Sequence, residues 1–301
     1  MKIKVLTGFF LLLHIITFAQ DEIDSLPKLD LTKMALVNQS DSYITFPTDI
    51  GNLEPLIFEA NVNPNFVIRE RADSKLMAIL TPQIRIRMYD KESYPVQTPS
   101  YIPQISLYHM ISESGALKKT SIFGKIAHHS NGQEDPFYKD STYTEVNFQS
   151  GNFATNFLEF GVLKSFYSHK RNALGFLKSS VEVHPSGWMI REMRGTYSGL
   201  RWHNSFLAYK LPMDKPFFTE SRRARFSLKL ETSLMLDQVN DWDLLDINRL
   251  NATLTVYYHP KFLEDIGFFI QAYKGRDYYN IYYHNDIAAI RFGLMTEILR
   301  F

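Results

Sequence analysis

The chain of 301 residues contains no cysteine, so no disulfide framework can hold it together. Charge of one sign is also missing: 33 Lys and Arg stand against 32 Asp and Glu, a formal net charge of +1. A balance this even argues against nucleic acid as a partner, because phosphate binding needs a basic surplus. Beyond the first 19 residues there is no long uncharged apolar run, which excludes a later transmembrane helix. Internal repeats, low-complexity tracts and a clear domain linker are absent too.

What is present begins with Met1-Lys2-Ile3-Lys4 and an apolar stretch from Val5 to Phe18, ending in Thr17-Phe18-Ala19. A basic start, an apolar middle and a small-residue exit predict a secretory signal peptide over residues 1–19, cleaved near Ala19. Its removal takes Lys2 and Lys4, leaving 31 basic residues against 32 acidic ones. The chain is rich in aromatics, with 23 Phe and 17 Tyr. An exported, cysteine-free, aromatic-rich chain without an apolar helix fits an outer-membrane β-barrel, whose aromatic girdles mark both interfaces. A soluble exported β-sandwich is the competing architecture.

The polar stretch 20–52 reads as an N-terminal periplasmic extension, and residues 53–301 as the barrel. Segments of about ten residues with partial alternation follow one another as membrane strands require. They are Leu56–Asn61, Asn65–Glu70, Leu76–Met88, Tyr101–Ile111, Ser121–Ser130, Tyr143–Phe148 and Phe153–Lys164. Gly175–Val183, Thr196–Lys210, Arg225–Asp237, Arg249–His259, Gly267–Lys274, Tyr278–His284 and Ala288–Phe301 complete the series. Two alternate clearly: Arg85 and Arg87 interleave with Ile84, Ile86 and Met88, and Ser227, Lys229 and Glu231 with Phe226, Leu228 and Leu230. Alternation alone does not decide between a polar face turned to a lumen and one turned to water. The final strand closes on an aromatic residue, Phe301, as outer-membrane barrels commonly do.

Chemistry concentrates in His128-His129-Ser130-Asn131-Gly132. Residues i and i+2 of a strand share a face, so His128 and Ser130 stand side by side as a general base and a nucleophile. Ile122, Gly124 and Ile126 share their parity, while Lys125 and His129 take the other. The pair therefore falls on the apolar, outward face near a strand end, where a membrane ester would meet it. The remaining histidines show no metal-binding spacing such as HExxH.

With its surroundings this run resembles the outer-membrane phospholipase A family. His128-His129-Ser130-Asn131-Gly132-Gln133-Glu134-Asp135-Pro136 is similar to the family's His-x-Ser-Asn-Gly stretch with its following Asp-Pro. Tyr143-Thr144, Gly151-Asn152-Phe153, Tyr101-Ile102-Pro103-Gln104, Gln271-Ala272-Tyr273-Lys274-Gly275 and Asp277-Tyr278-Tyr279-Asn280 match further family segments. The resemblance spans roughly residues 76–301 and implies an all-β fold, a transmembrane antiparallel barrel of about 12 strands. It implies calcium-dependent hydrolysis of glycerophospholipid acyl esters (sn-1, possibly sn-2) and activation as a homodimer.

Carried over by position, Ser130 is the nucleophile, His128 the base and the Gly132 backbone N–H the oxyanion donor. Asp140 stands where the family has its catalytic Asn and would orient His128, with Thr142 as runner-up and Asn147 as a further candidate. For calcium, the Gln133 carbonyl occupies one ligand position. No Ser matches the second; Phe137 and Tyr138 stand nearby, and Glu134 and Asp135 offer hard oxygens. A non-enzymatic barrel, a pore or structural relative, is the alternative reading.

Overall fold

The computed structural model describes residues 29–47, 50–168, 173–210, 226–260, 262–263 and 265–296. The segment expected as a signal peptide, 1–19, and the terminal Phe301 lie outside them.

The described chain forms one closed antiparallel sheet. Its strands are β1 (Tyr43–Thr45), β2 (Leu56–Val62), β3 (Phe66–Ile68), β4 (Leu76–Tyr89), β5 (Ser100–Glu113), β6 (Lys119–Ser130) and β7 (Ala154–Ser168). They continue as β8 (Ala173–Val183), β9 (Leu200–Lys210), β10 (Phe226–Met235), β11 (Leu250–Tyr258), β12 (Ile266–Arg276) and β13 (Asp286–Thr296). Neighbours in sequence pair with each other from β4 to β13; β13 then pairs with β1, β1 with β2, and β2 back with β4. Strands β2 and β3 lie end to end along β4, on 84–89 and 78–80. The break between them is Asn63-Pro64-Asn65, where Pro64 can donate nothing to a ladder. Counting β2 and β3 as one interrupted strand, the barrel has the twelve staves expected.

Alternation resolves as lumen against exterior. On β5, Ser100, Ile102, Gln104, Ser106, Tyr108 and Met110 are buried, while the residues between them are exposed. Exterior positions are apolar yet open: Leu107 is 53% exposed, Ile126 47%, Phe160 58% and Ile270 58%. A soluble domain does not leave so much contiguous apolar surface in water. The inverse arrangement, apolar outside and polar inside, is that of a barrel in lipid. Among the described residues no helix is long and apolar enough to cross a membrane.

Three layers fill the lumen. At the end with the β5–β6 turn, a short helix, α1 (Leu31–Val37), enters the barrel. Asp30 caps it, its Oδ1 accepting from Lys33 N–H at 2.8 Å. Leu31, Met34 and Ala35 pack against Ile79, Tyr108, Phe123 and Phe176, each larger side chain contributing about 1.5–3 kcal/mol by burial. Asn38 and Gln39 then both donate to the Tyr108 hydroxyl at 2.8 Å. The segment expected as an irregular extension, 20–52, thus supplies this helix and the strand β1. Its apolar residues are too few for an amphipathic signal, but they suffice to fill one end of a lumen.

The middle layer is charged. Arg87 donates from Nε to Glu59 Oε2 at 2.6 Å and from Nη1 to Asp277 Oδ2 at 2.7 Å; Arg291 Nη1 reaches Glu59 Oε1 at 2.8 Å. Across the lumen Glu159 receives Lys125 and Lys178, both at 2.7 Å. Arg85, Arg87, Lys125 and Lys229 all point inward, on the parity the sequence assigned to a polar face.

The third layer is an apolar cluster of loops at the opposite end, with Phe137, Phe153, Met193 and Ile281 at its centre. Two expected strands belong here instead. Tyr143–Phe148 is a turn region with Tyr143 at φ 59°, and Asn280–His284 is a 3-10 turn. Their aromatic content satisfies a strand pattern, but the rings pack inward over the lumen: Tyr279 is fully buried and its hydroxyl accepts from Arg87 N–H at 3.1 Å.

Candidate active site

Strand β6 ends at Ser130, at the barrel end that carries the longer described loops, including 131–153 and 184–199. Its burial alternates as expected: Phe123, Ala127 and His129 are buried, and Ile122 and Ile126 are exposed. His128 and Ser130 are half-exposed on the outward parity. They are two residues apart along the strand, roughly 6.6 Å of rise. No hydrogen bond joins them among the described residues.

Strand β7 brings a further side chain to His128. His128 lies opposite Asn156 in the β6–β7 ladder, and Ser130 opposite Ala154. His128 Nδ1 is 2.8 Å from Asn156 Oδ1. An amide oxygen can only accept, so this contact assigns the proton to Nδ1 and leaves Nε2 as the free base. The amide is itself oriented: Asn156 Nδ2 donates to the Trp188 carbonyl at 3.3 Å. Trp188 sits in a 3-10 turn (Ser186–Trp188) tied to β7 by a Thr155–Met189 bridge and by Ile190 N–H to Ala154 O at 3.1 Å. The Trp188 carbonyl thus fixes which end of Asn156 faces the imidazole.

The structure does not bring Asp140 to His128. It stands at the surface of the 131–153 loop, where its carboxylate accepts from Thr144 Oγ1 at 2.6 Å, Thr144 N–H at 3.1 Å and Thr142 Oγ1 at 2.9 Å. The Thr144 hydroxyl and N–H, then the Thr142 hydroxyl, hold this carboxyl down at about 2. Its three donors are local, so Asp140 and Thr142 organise the loop tip. Asn147 is likewise engaged locally, donating to Ser150 Oγ at 3.1 Å and accepting from Ser150 N–H at 3.2 Å. The residue that reading from the motif missed is Asn156. Its available signal is parity: an amide among Leu158, Phe160 and Val162 on the outward side of β7.

Gly132 follows the pair on a fixed turn. Buried Asn131 donates from Nδ2 to Gly151 O at 2.8 Å, and its Oδ1 accepts from Phe153 N–H at 3.0 Å and Gln133 N–H at 3.3 Å. That side chain staples the start of the loop to its end. Gly132 has φ +69°, and a Cβ there would lie 3.3 Å from Tyr101 Cε2. Conformation and space both select glycine. Gly132 is exposed, and its N–H has no hydrogen-bond partner among the described residues, as an oxyanion donor requires.

The calcium expectation finds a poor fit in a single chain. Calcium takes six to eight oxygens, and among the described residues no group of three or more His, Cys, Asp or Glu gathers to hold a metal. Gln133, Glu134 and Asp135 are strung along the loop, and the Asp135 carbonyl is taken by Asn152 N–H at 2.9 Å.

No family model and no curated protein matches the chain. Solved structures do. Outer membrane phospholipase A from Escherichia coli aligns with a TM-score of 0.54 and 12% identity, covering 86% of this chain and 90% of that one. Its active-site Asn→Ala mutant at pH 6.1 aligns at 0.54 and 13%, covering 91% and 92%. The Salmonella typhi outer membrane phospholipase dimer with bound calcium aligns at 0.56 and 13%, covering 86% and 90%. At this identity the likeness is one of fold, and it extends over nearly the whole of each chain: the protein has the twelve-stranded barrel fold of the outer-membrane phospholipase A structures.

Proposed function

We propose that the protein is an outer-membrane phospholipase that cleaves acyl esters of glycerophospholipids, sn-1 and possibly sn-2, through Ser130, His128 and Asn156. The observation that carries the reading is the 2.8 Å contact of His128 Nδ1 with Asn156 Oδ1, on the same outward face as Ser130. A base with a fixed tautomer and a hydroxyl on its own strand is the arrangement that serine acyl transfer needs.

Ser130 Oγ attacks the ester carbonyl while His128 Nε2 takes its proton. Asn156 Oδ1 holds the imidazolium through Nδ1–H, and the Gly132 N–H faces the oxygen that becomes negative. Collapse expels the lysophospholipid alkoxide, which leaves with the proton from His128. Water, deprotonated by the same imidazole, then releases the fatty acid from Ser130 and restores the hydroxyl. Because the site faces outward at the rim of an apolar band, the substrate arrives laterally from the bilayer. Export by a cleaved signal peptide at 1–19, a homodimer and calcium belong to the proposal through the family resemblance and the bound calcium of the Salmonella protein. No step above is routed through the metal.

The test is fatty-acid release from phospholipid–detergent mixed micelles with calcium present. Ser130→Ala should lower the rate by at least about 10³-fold while the heat-modifiable gel migration of a folded barrel is unchanged. Equal release by wild type and variant, or none by a folded wild type, would leave the non-enzymatic barrel as the reading.

A further inference from the structure

The charged layer of the lumen does not balance locally. Three guanidiniums, Arg85, Arg87 and Arg291, stack around the Tyr278 ring at 4.5, 5.0 and 5.4 Å from its centroid. Two carboxylates answer them, Glu59 and Asp277, and both are occupied. Glu59 takes Arg87, Arg291 and the hydroxyls of Tyr43 and Tyr278; Asp277 takes Arg87 and Tyr279 N–H. Arg85 is left over.

Two cavities, of about 410 and 220 Å³, share a wall made by Ser40, Arg85, Glu182, Arg201, Asn251 and Tyr278. Every other Lys or Arg lining the larger cavity makes a direct ion pair with a carboxylate. Lys178 is 2.7 Å from Glu159, Lys229 3.0 Å from Glu231, Arg201 3.2 Å from Glu182, and Arg291 2.8 Å from Glu59. Arg85 has no ion pair and no hydrogen bond among the described residues, and its Nε is buried without a partner. The Nε of Arg201, on the same wall, is buried and unpartnered as well. The wall's one carboxylate, Glu182, is already held by His184 Nε2 at 2.8 Å and by Arg201.

We propose that this wall is a binding site for a small tetrahedral oxyanion of the phosphate class, seated on the Arg85 guanidinium. A cation enclosed in a low-dielectric barrel costs stability until it is paired. A guanidinium fork matches an oxyanion in two parallel hydrogen bonds, where an ammonium would offer only a point charge. The Arg201 guanidinium, lining the same two cavities, adds a second positive charge to the wall. Either cavity is several times the roughly 30 Å³ that one water occupies in the liquid, which leaves room for a phosphate with some of its water. The site lies inside the barrel and does not rest on the hydrolase reading, which concerns the outer face.

The experiment follows the loss of heat-modifiable migration with temperature in detergent-folded, full-length protein, titrated with inorganic phosphate at constant ionic strength. Phosphate should raise the wild-type midpoint saturably, as a ligand of the folded state does. The rise should persist in Lys139→Gln, a surface-loop control, and vanish in Arg85→Gln. Equilibrium dialysis of labelled phosphate should find one anion per wild-type chain, and a weaker one in Arg85→Lys, which keeps the charge and loses the fork. The Lys variant also covers the case in which Arg85→Gln fails to fold. The proposal is overturned if chloride gives the same saturable rise, if Arg85→Gln responds like wild type, if Arg85→Lys binds as tightly, or if no phosphate binds.

Discussion

On the outer face of β6 and β7, Ser130, His128 and Asn156 stand half-exposed; one residue along each strand, His129 and Thr155 are buried on the inner face. The two faces carry similar chemistry. Outside, an amide holds an imidazole beside a hydroxyl. Inside, the Thr155 hydroxyl is 2.9 Å from His184 Nδ1, whose Nε2 is 2.8 Å from Glu182. A hydroxyl, an imidazole and a carboxylate in a row would look catalytic in a sequence motif. Yet Thr155 is wholly buried, with no room for an ester to reach it. Access separates the two sets more than residue type does. The inner row ties β7 to the start of the loop that carries Trp188, and the outer row is what that loop positions.

The comparison breaks most readily at Asn156. Asn156→Ala removes the acceptor that His128 Nδ1 has among the described residues and frees the imidazole to rotate or change tautomer. The expected loss is about 10²-fold in micelle hydrolysis, the order that misplacement of a catalytic group costs. Folding should be unchanged, because the amide is not part of the packed lumen. A rate within threefold of wild type would remove Asn156 from the site.

The inner face should give the opposite result. Thr155→Val keeps the shape and leaves His184 Nδ1 without its partner, at a cost of about 1–3 kcal/mol. Urea unfolding followed by heat-modifiability should show that loss, while the rate per folded molecule stays within about threefold. A large rate loss in a stable Thr155→Val protein would mean that the inner row does chemistry.

Why one face was legible in the sequence and its third member was not follows from where each piece of information resides. Parity is local: Ile122, Ile126, Lys125 and His129 suffice to place His128 and Ser130 on the outer face of β6. Most strand positions are local in the same way, because each barrel strand must alternate on its own. Asn156 is different. It meets His128 only through the β6–β7 register, across a 131–153 loop whose path no local pattern gives. Alignment to a motif with a gap inside that loop instead reached Asp140, a residue with the right chemistry whose carboxylate is taken up by Thr142 and Thr144. Loop aromatics misled similarly: Tyr278–His284 has strand composition, but Asn280 at φ 32° and rings turned onto Arg87 make it a turn. Residues 31–45 went unread for a further reason. A seven-residue helix and a three-residue strand are stabilised by what surrounds them in the lumen, which the segment itself does not announce.

The smallest expected effect is the sharpest on this point. Asp140→Ala deletes a carboxylate that accepts three hydrogen bonds, all from within four residues, at the surface of the loop. If His128 depends on Asn156, this change loosens only the loop tip, and hydrolysis should stay within about twofold, as for surface substitutions generally. If Asp140 were the orienting residue, its loss would match that of Asn156→Ala instead. Measured side by side with that variant, under one substrate and one calcium concentration, the two rates rank the candidates directly. A carboxylate whose oxygens are already filled by Thr142 and Thr144 has little left to offer an imidazole, and the ranking should fall on the amide.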